Sequence, residues 1–159
     1  MKKNPIIGMT KKFHPKSTLS LDYIAKNIDN IDFLSKILPK EQIEVKSKNK
    51  DHIKLVYYKP LNYQVISELK IKMDLIIEQQ IPDELSPLIW DFFTKNNSHF
   101  YDFSGRIRVK RIGNNIKIGI YIYDMQIDNE KKTKFEFRAM KKTIKEIIIQ
   151  IFQNLTKLE

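Results

Sequence analysis

The sequence contains no cysteine, only four glycines and only three histidines. The lack of cysteine excludes disulfides, a thiolate nucleophile and cysteine-ligated zinc. Four scattered glycines cannot form a glycine-rich phosphate loop or a dinucleotide-binding fingerprint. The chain also lacks the run of about 18 apolar residues that a membrane span needs, and no apolar signal core follows its polar start. These absences predict a cytoplasmic protein, or one of an organelle interior.

The 159 residues are 42% hydrophobic and 30% charged, a balance typical of a soluble globular domain. We therefore expect a single domain over residues 1–159, with residues 1–4 as a flexible tail. The formal net charge of +10 would suit a polyanionic partner. However, only four of the 29 cationic residues are arginine, and the lysines are spread along the whole chain. A low-GC genome produces such a composition without any function, so the charge alone identifies no partner.

Residue groupings typical of metal binding or catalysis are missing from the sequence. His14, His52 and His99 have no ligand spacing to one another, which argues against a metal site. The serines and threonines lack a nearby grouping of histidine and acid that would activate a nucleophile. We expect no metal and no cofactor, and nothing in the sequence supports enzymatic activity.

Hydrophobic periodicity predicts strands and helices in the first half of the chain. Apolar residues at spacings of three and four predict a helix from Leu21 to Leu38, either continuous or broken near Asn30. An edge strand is predicted before it, at residues 6–13. Alternating patterns predict further strands at residues 43–46, 53–58 and 65–77.

The second half begins with a predicted short helix at residues 83–95, because Pro82, Asp83 and Glu84 are typical of a first helical turn. A hairpin follows, with strands at residues 106–112 and 116–125 around a tight turn at Gly113-Asn114-Asn115. A third strand is predicted at residues 133–138. The last element is a helix from Lys141 to Leu158, with apolar residues on more than one side.

This order of elements resembles the START-like helix-grip (SRPBCC) superfamily, in which a curved antiparallel sheet wraps a long C-terminal helix. The residues that carry the resemblance are Met9–Phe13 leading into the helical run from Leu21, the segment Asn30–Pro39, and the apolar helix from Lys141. The resemblance implies an α+β fold with about six or seven strands around the C-terminal helix. It also implies a hydrophobic cavity for a lipid, a sterol-like molecule or an aromatic metabolite. The predicted helix at residues 83–95 departs from the family's pattern.

A second resemblance covers only residues 82–158. A helix, three strands and a final helix that begins with Lys141, Lys142 and Lys145 look like a double-stranded-RNA-binding domain. The glycines that this family has before the lysines are missing, and isoleucines follow the lysines where the family has small residues.

The main functional hypothesis is non-catalytic binding of a hydrophobic small molecule or lipid between the sheet and the C-terminal helix. If Asn114 and Asn115 form a two-residue turn, isoleucines and Val109 of both hairpin strands share one face, which would look towards the helix. A filled core without a cavity is equally compatible with this pattern. Tyr57 or Asp124 would supply the polar anchor. The predicted ligand-binding residues are Leu55, Tyr57, Ile71, Met73, Phe103, Ile120, Ile122, Phe137, Ile148 and Phe152.

Two alternatives remain open from the sequence. The first is RNA binding on the opposite face of the hairpin, where tyrosines would stack bases and cations would hold phosphates. Its predicted residues are Arg106, Arg108, Lys110, Tyr121 and Tyr123. A solvent-facing sheet with ordinary Arg-Tyr packing would produce the same pattern. The second alternative is a protein-interaction module, in which Trp90 and Phe93 form a lid or an exposed patch on the predicted short helix.

Overall fold

The computed structural model describes residues 4–14, 21–27, 30–39, 43–49, 52–60, 68–79, 88–94, 100–127 and 134–157. Within these ranges the chain forms seven strands and three helices. The strands are β1 (Ile7–Phe13), β2 (Ile43–Asn49), β3 (His52–Pro60), β4 (Glu68–Gln79), β5 (Leu88–Thr94), β6 (Phe100–Ile112) and β7 (Asn115–Ile127). The helices are α1 (Leu21–Asn27), α2 (Ile31–Ile37) and α3 (Lys134–Thr156). The predicted flexible tail lies outside the described residues except for Asn4.

The strands described form one antiparallel sheet in the order β1-β7-β6-β5-β4-β3-β2. From β2 to β7 each strand pairs with the next one along the chain, while β1 joins the far side of β7. In the chain, α1 and α2 connect the two edge strands, and α3 follows the sheet. The predicted fold class is confirmed: the protein is α+β, with a curved antiparallel sheet and a long C-terminal helix in the START-like helix-grip arrangement.

The sheet has an apolar inner face and an opposite, outer face. Inner-face residues of β1, β5, β6 and β7 are buried in one apolar cluster with residues of α3. Val109 of β6 is completely buried, and so is Phe13 of β1. Strand residues alternate between faces, so the neighbours of these buried residues along each strand belong to the outer face. The same cluster includes Ile24 of α1 and Phe33, Leu34 and Ile37 of α2, so the core lies between the inner face and all three helices.

The C-terminal half of α3 is fixed to β1 and α2. The rings of Phe13 and Phe152 meet edge to face, with centroids 6.1 Å apart. Asn154 Nδ2 donates a hydrogen bond of 2.9 Å to the carbonyl oxygen of Ile37, at the end of α2. None of the helices described, α3 included, is long and apolar enough to cross a membrane.

The predicted break near Asn30 is present and has a clear physical cause. Asn30 has extended backbone angles and is the N-cap of α2. Its Oδ1 accepts a hydrogen bond of 2.8 Å from the backbone N–H of Asp32, which satisfies a donor of the first turn. Asp32 also places a negative charge at the positive end of the helix.

The predicted hairpin forms, but its turn is one residue earlier than Asn114-Asn115. Ile112 pairs with Asn115, so Gly113 and Asn114 form the turn. Gly113 has a φ of 59°, in the left-handed region that glycine adopts without strain. Because moving a two-residue turn by one position shifts the cross-strand register by two, the residues from Ile107 to Ile122 stay on their predicted faces.

The predicted helix at residues 83–95 is wrong, because residues 88–94 form strand β5. Trp90 and Phe92 are buried on the inner face, and Asp91 between them pairs with Arg106 on the outer face. Strands β4 and β6 provide hydrogen-bonding partners on both sides of this segment, which outweighs its local helical pattern. The start predicted at Pro82-Asp83-Glu84 lies outside the described residues.

The predicted third strand at residues 133–138 is also wrong, because α3 already begins at Lys134. Both edges of β7 are occupied, one by β6 and the other by β1, so no edge beside β7 is left for another strand. Thr133 lies outside the described residues. With a strand in place of the first helix and no third strand after the hairpin, the resemblance to a double-stranded-RNA-binding domain does not hold.

Candidate functional site

Half of the predicted ligand-binding residues lie in the buried core. Phe103 is on β6, Ile120 and Ile122 are on β7, and Ile148 and Phe152 are on α3. All of them are buried members of the same apolar cluster: Phe103, Ile120, Ile122, Ile148 and Phe152. The structure therefore brings together sheet and helix residues that the sequence placed on facing surfaces. All five are at most 7% exposed, so a ligand reaches them only past less buried residues.

The other predicted ligand-binding residues lie on β3, β4 and α3. Their strand backbones pair as the alternating pattern requires, with Leu55 opposite Met73 and Tyr57 opposite Ile71. Ile71 and Met73 precede the buried inner-face residue Ile77 on β4 by even numbers of positions. Phe137, predicted on a strand, is instead in the second turn of α3.

A band of half-buried apolar residues borders the buried core. Leu88 and Ile107 lie on the inner faces of β5 and β6, four more lie on α3, and the rest, including Met9 on the inner face of β1, lie on or beside β1, α1 and α2. Ile107 pairs directly with Trp90 on one side and Ile120 on the other. We call the six on β5, β6 and α3 the inner site, and its members are Leu88, Ile107, Met140, Ile144, Ile147 and Ile151.

The helix members of the inner site form one stripe along α3. Their spacings of four, three and four residues keep Met140, Ile144, Ile147 and Ile151 on one side of the helix. The buried residues Ile148, Phe152 and Leu155 form a neighbouring stripe. The buried stripe holds the C-terminal half of α3 on the core, whereas the stripe of the inner site reaches further towards the N-terminal half and stays partly accessible.

The described part of the interior contains no buried polar or charged residue. Asp124, which was predicted as a polar anchor in the cavity, lies instead on the outer face, where Ser104 Oγ donates a hydrogen bond of 3.0 Å to it. A β-bulge causes the difference, because Tyr123 has no partner on β6 and the alternation shifts by one residue after it. The side chain of Tyr57 lies outside the described residues.

On the outer face, Arg106 is held by a bidentate ion pair with Asp91 of the neighbouring strand. Its Nε donates to one carboxylate oxygen at 2.7 Å, and its Nη2 donates to the other at 3.3 Å. Hydrogen bonding to Asp91 raises the pKa of Arg106 above its usual value, against a smaller opposite effect of desolvation. The charge of Arg106 is therefore neutralised locally, and this residue contributes little to the predicted RNA-binding face.

Replacing Asp91 with Asn is expected to lower the free energy of unfolding by less than about 1 kcal/mol. The side chains of Arg106 and Asp91 are 40% and 30% exposed, so water and salt screen their attraction. Urea denaturation of the wild type and of Asp91→Asn measures the difference. A loss larger than about 2 kcal/mol would mean that the pair behaves as a buried one.

Tyr121 lies along the outer face over two glycines. A Cβ added at Gly119 would stand 2.5 Å from the Tyr121 hydroxyl oxygen, and one added at Gly8 would stand 3.3 Å from Tyr121 Cδ1. The ring therefore occupies the space that side chains at these two positions would take. Tyr123 is next to it, with ring centroids 6.5 Å apart.

The predicted lid at Trp90 does not form. Trp90 is only 2% exposed and belongs to the inner-face core, so it cannot act as an exposed patch for a protein partner. Phe93 is half-buried, as its position opposite Ser104 on the outer face allows. Among the residues described, no group of three or more histidines or acids could hold a metal ion.

Comparisons with known proteins support the fold and leave the function open. No protein-family model matches the sequence, and a search of curated proteins finds no match. The solved structure of TTHA0849 from Thermus thermophilus is similar over 96% of this chain and 94% of its own, with a TM-score of 0.63 and 12% identity. A START superfamily protein from Mycobacterium smegmatis is similar over 95% and 94%, with a TM-score of 0.59 and 11% identity. At such low identity the likeness establishes the fold alone.

Proposed function

We propose that this protein binds an apolar small molecule or lipid between the inner face of its sheet and α3, without catalysing a reaction. The observation that carries the proposal is the half-burial of Ile107. This residue lies on the inner face of a central strand, and its two cross-strand partners, Trp90 and Ile120, are buried. A close-packed interior would cover a side chain in this position, so its remaining exposure supports a gap between the inner face and the helices that pack on it.

The chemistry of the inner site favours an uncharged, apolar ligand. Its six members are hydrophobic, and the described interior has no buried polar group that would need a partner. Covering such residues removes apolar surface from water, which is favourable by about 25 cal/mol per Å². The START-like fold supports the same proposal, since that resemblance implies a hydrophobic cavity between sheet and helix. Leu55, Tyr57, Ile71 and Met73 stay predicted contacts of the ligand, with Tyr57 as its polar anchor.

Native mass spectrometry of gently purified protein tests whether a ligand is carried. We expect a fraction of the protein to have a mass above that of the denatured chain, and the difference identifies the ligand. A uniform mass equal to that of the chain, after incubation with a mixture of fatty acids, sterols and aromatic metabolites as well, would contradict the proposal.

Replacing Ile107 with Phe is expected to block the inner site without unfolding the protein. The larger ring fills the gap on the inner face, so the affinity for the uncharged apolar probe N-phenyl-1-naphthylamine falls about tenfold, or roughly 1.4 kcal/mol. Trp90 is the only tryptophan in the chain and pairs with Ile107, so energy transfer from it to the probe reports binding at this place.

The matched control is Ile149→Phe, because Ile149 is 44% exposed on the other side of α3. Probe binding by this variant should equal that of the wild type. The thermal midpoint of Ile107→Phe gives a second readout, since the same change in a fully packed core would cost about 1–3 kcal/mol. A destabilised Ile107→Phe that binds the probe normally would mean that the interior is filled and the proposal is wrong.

A further inference from the structure

Three lysines lie side by side across three neighbouring strands near the β6–β7 turn. Lys12 of β1 pairs with Lys117 of β7, and Lys117 pairs with Lys110 of β6. Because neighbouring strands are about 4.8 Å apart, the three Cα atoms form a row about 10 Å long. We call these three residues the lysine row.

The lysine row lies on the outer face of the sheet. Each lysine is next in sequence to a buried inner-face residue: Lys12 to Phe13, Lys110 to Val109, and Lys117 to Ile116 and Ile118. Arg108 lies on the same face, two residues before Lys110 on β6, and is exposed. None of these four cations forms an ion pair with a residue that the structure describes, unlike Arg106 with its partner Asp91.

Like charges directly opposite each other across a sheet are unfavourable. The row repeats this arrangement twice, on Lys12 and Lys117 and again on Lys117 and Lys110. A general excess of lysine explains scattered charges but not their direct pairing in register on one face. An anionic partner that lies across the three strands would relieve this repulsion, and it would release counterions on binding.

Tyr121 adds an aromatic surface next to these cations. Its ring lies over Gly119, and Arg108 pairs directly with Gly119 across the sheet. Tyr121 is only half-buried, so part of its side chain is open to solvent beside the Tyr123 ring. An accessible aromatic ring stacks with nucleic-acid bases of any sequence. Binding to a membrane surface would instead use apolar or aromatic side chains that protrude from the protein.

We propose that the outer face binds single-stranded nucleic acid, with phosphates on the lysine row and Arg108 and a base stacked on Tyr121. This set differs from the residues predicted from the sequence: it adds Lys12 and Lys117, and it leaves out Tyr123 and also Arg106, whose charge Asp91 neutralises. The proposed surface is on the opposite side of the sheet from the inner site and does not depend on it.

Fluorescence anisotropy with labelled 12-nucleotide oligouridylate and oligothymidylate tests the proposal on the full-length protein. Four phosphate contacts correspond to a salt slope of about −2.8, so affinity falls about 50-fold between 50 and 200 mM salt. In Lys110→Ala/Lys117→Ala two contacts are lost, and the same change in salt should lower affinity only about 7-fold. The control Lys142→Ala/Lys145→Ala removes two exposed lysines of α3 and should retain the wild-type slope.

Variants at Tyr121 separate nucleic-acid binding from attraction to any polyanion. Tyr121→Leu should bind the oligonucleotides about tenfold more weakly but heparin as well as the wild type, whereas Tyr121→Phe keeps the stacking. Gly119→Ala gives the same result without altering Tyr121 itself, because the new Cβ displaces the ring from the sheet. Thermal midpoints close to that of the wild type show that these variants are folded.

Three outcomes would overturn the proposal. One is an oligonucleotide affinity that does not depend on salt or on the lysine row. Another is equal loss of heparin and oligonucleotide binding in Tyr121→Leu. The third is binding to vesicles of phosphatidylcholine with 30% phosphatidylserine but not to either oligonucleotide, which would assign the lysine row to a membrane surface.

Discussion

Replacing Gly105 with Ala is expected to lower the free energy of unfolding by about 2–3 kcal/mol, although only one methyl group is added. A Cβ at this position would clash with Phe92 Cζ and with the backbone oxygen of Tyr121. Both distances would be well below 3.0 Å, and real Cβ atoms essentially never come that close to a neighbouring atom. The Phe92 ring can tilt away, but the oxygen belongs to β7, which is hydrogen-bonded on both sides. The strands must therefore separate where Gly105 lies next to the β-bulge. Chemical denaturation monitored by circular dichroism measures the loss.

Gly8→Ala is the matched control for this prediction. Its new Cβ would stand 3.3 Å from a ring atom of Tyr121, which can move towards solvent, so we expect a change below about 0.5 kcal/mol. The double variant Phe92→Leu/Gly105→Ala separates the two contacts of Gly105. If Gly105→Ala no longer lowers stability when Phe92→Leu alone is the reference, the backbone oxygen is not the obstacle, and the clash between strands is not the cause of the loss.

The order of strands and helices could be predicted where one face of an element is buried and the other is wet. On β6 the buried Val109 lies between the exposed residues Arg108 and Lys110, and the sequence shows this pattern directly. The break between α1 and α2 was predictable for a similar local reason, since Asn30 is a good N-cap.

Strand β5 could not be predicted in this way because it is apolar on both faces. Leu88, Trp90 and Phe92 belong to the inner face, but Ile89 and Phe93 on the outer face are also hydrophobic. Such a strand has no clean alternation, and its apolar positions fit helical spacing equally well. Pairing with its two neighbours in the sheet, β4 and β6, decides that this segment is a strand, and these contacts are distant in sequence.

The same error concealed the ion pair on the outer face. Because Asp91 was predicted on a helix, nothing in the sequence linked it to Arg106. Arg106 was therefore predicted to be free to bind nucleic acid. Once β5 pairs with β6, Asp91 and Arg106 are direct cross-strand neighbours. Lys12 was missed for a related reason, because the pairing of β1 with β7 joins residues more than one hundred positions apart.

The exposure of each inner-face residue could not be predicted from the sequence either. The pattern grouped Ile107 with Ile118 and Ile120 as equivalent positions, yet Ile107 is half-buried and the other two are buried. Alternation specifies the face that a side chain occupies, whereas its exposure depends on how closely α3 approaches at that point. The inner site therefore becomes visible only when sheet and helix are seen together.

Replacing Phe13 with Ala is expected to have the largest effect on stability, a loss of about 3–5 kcal/mol. Phe13 is completely buried, and its ring packs edge to face on Phe152 of α3. It thus joins the edge strand β1, which comes from the N-terminal part of the chain, to the C-terminal helix. Since domains are stable by only about 5–15 kcal/mol, this loss is a large part of the total.

A double-mutant cycle on Phe13 and Phe152 measures the contact between the two rings. Each single change to Ala removes core volume, and the coupling energy should be about 0.5–1.5 kcal/mol because the rings meet directly. Ile149→Ala is the control, since this exposed residue of the same helix should change stability by less than about 0.5 kcal/mol. If Phe13→Ala unfolds the chain, the cycle is repeated with Leu at both positions. A coupling near zero would mean that α3 is held to the sheet without the contact with β1, through its other buried residues alone.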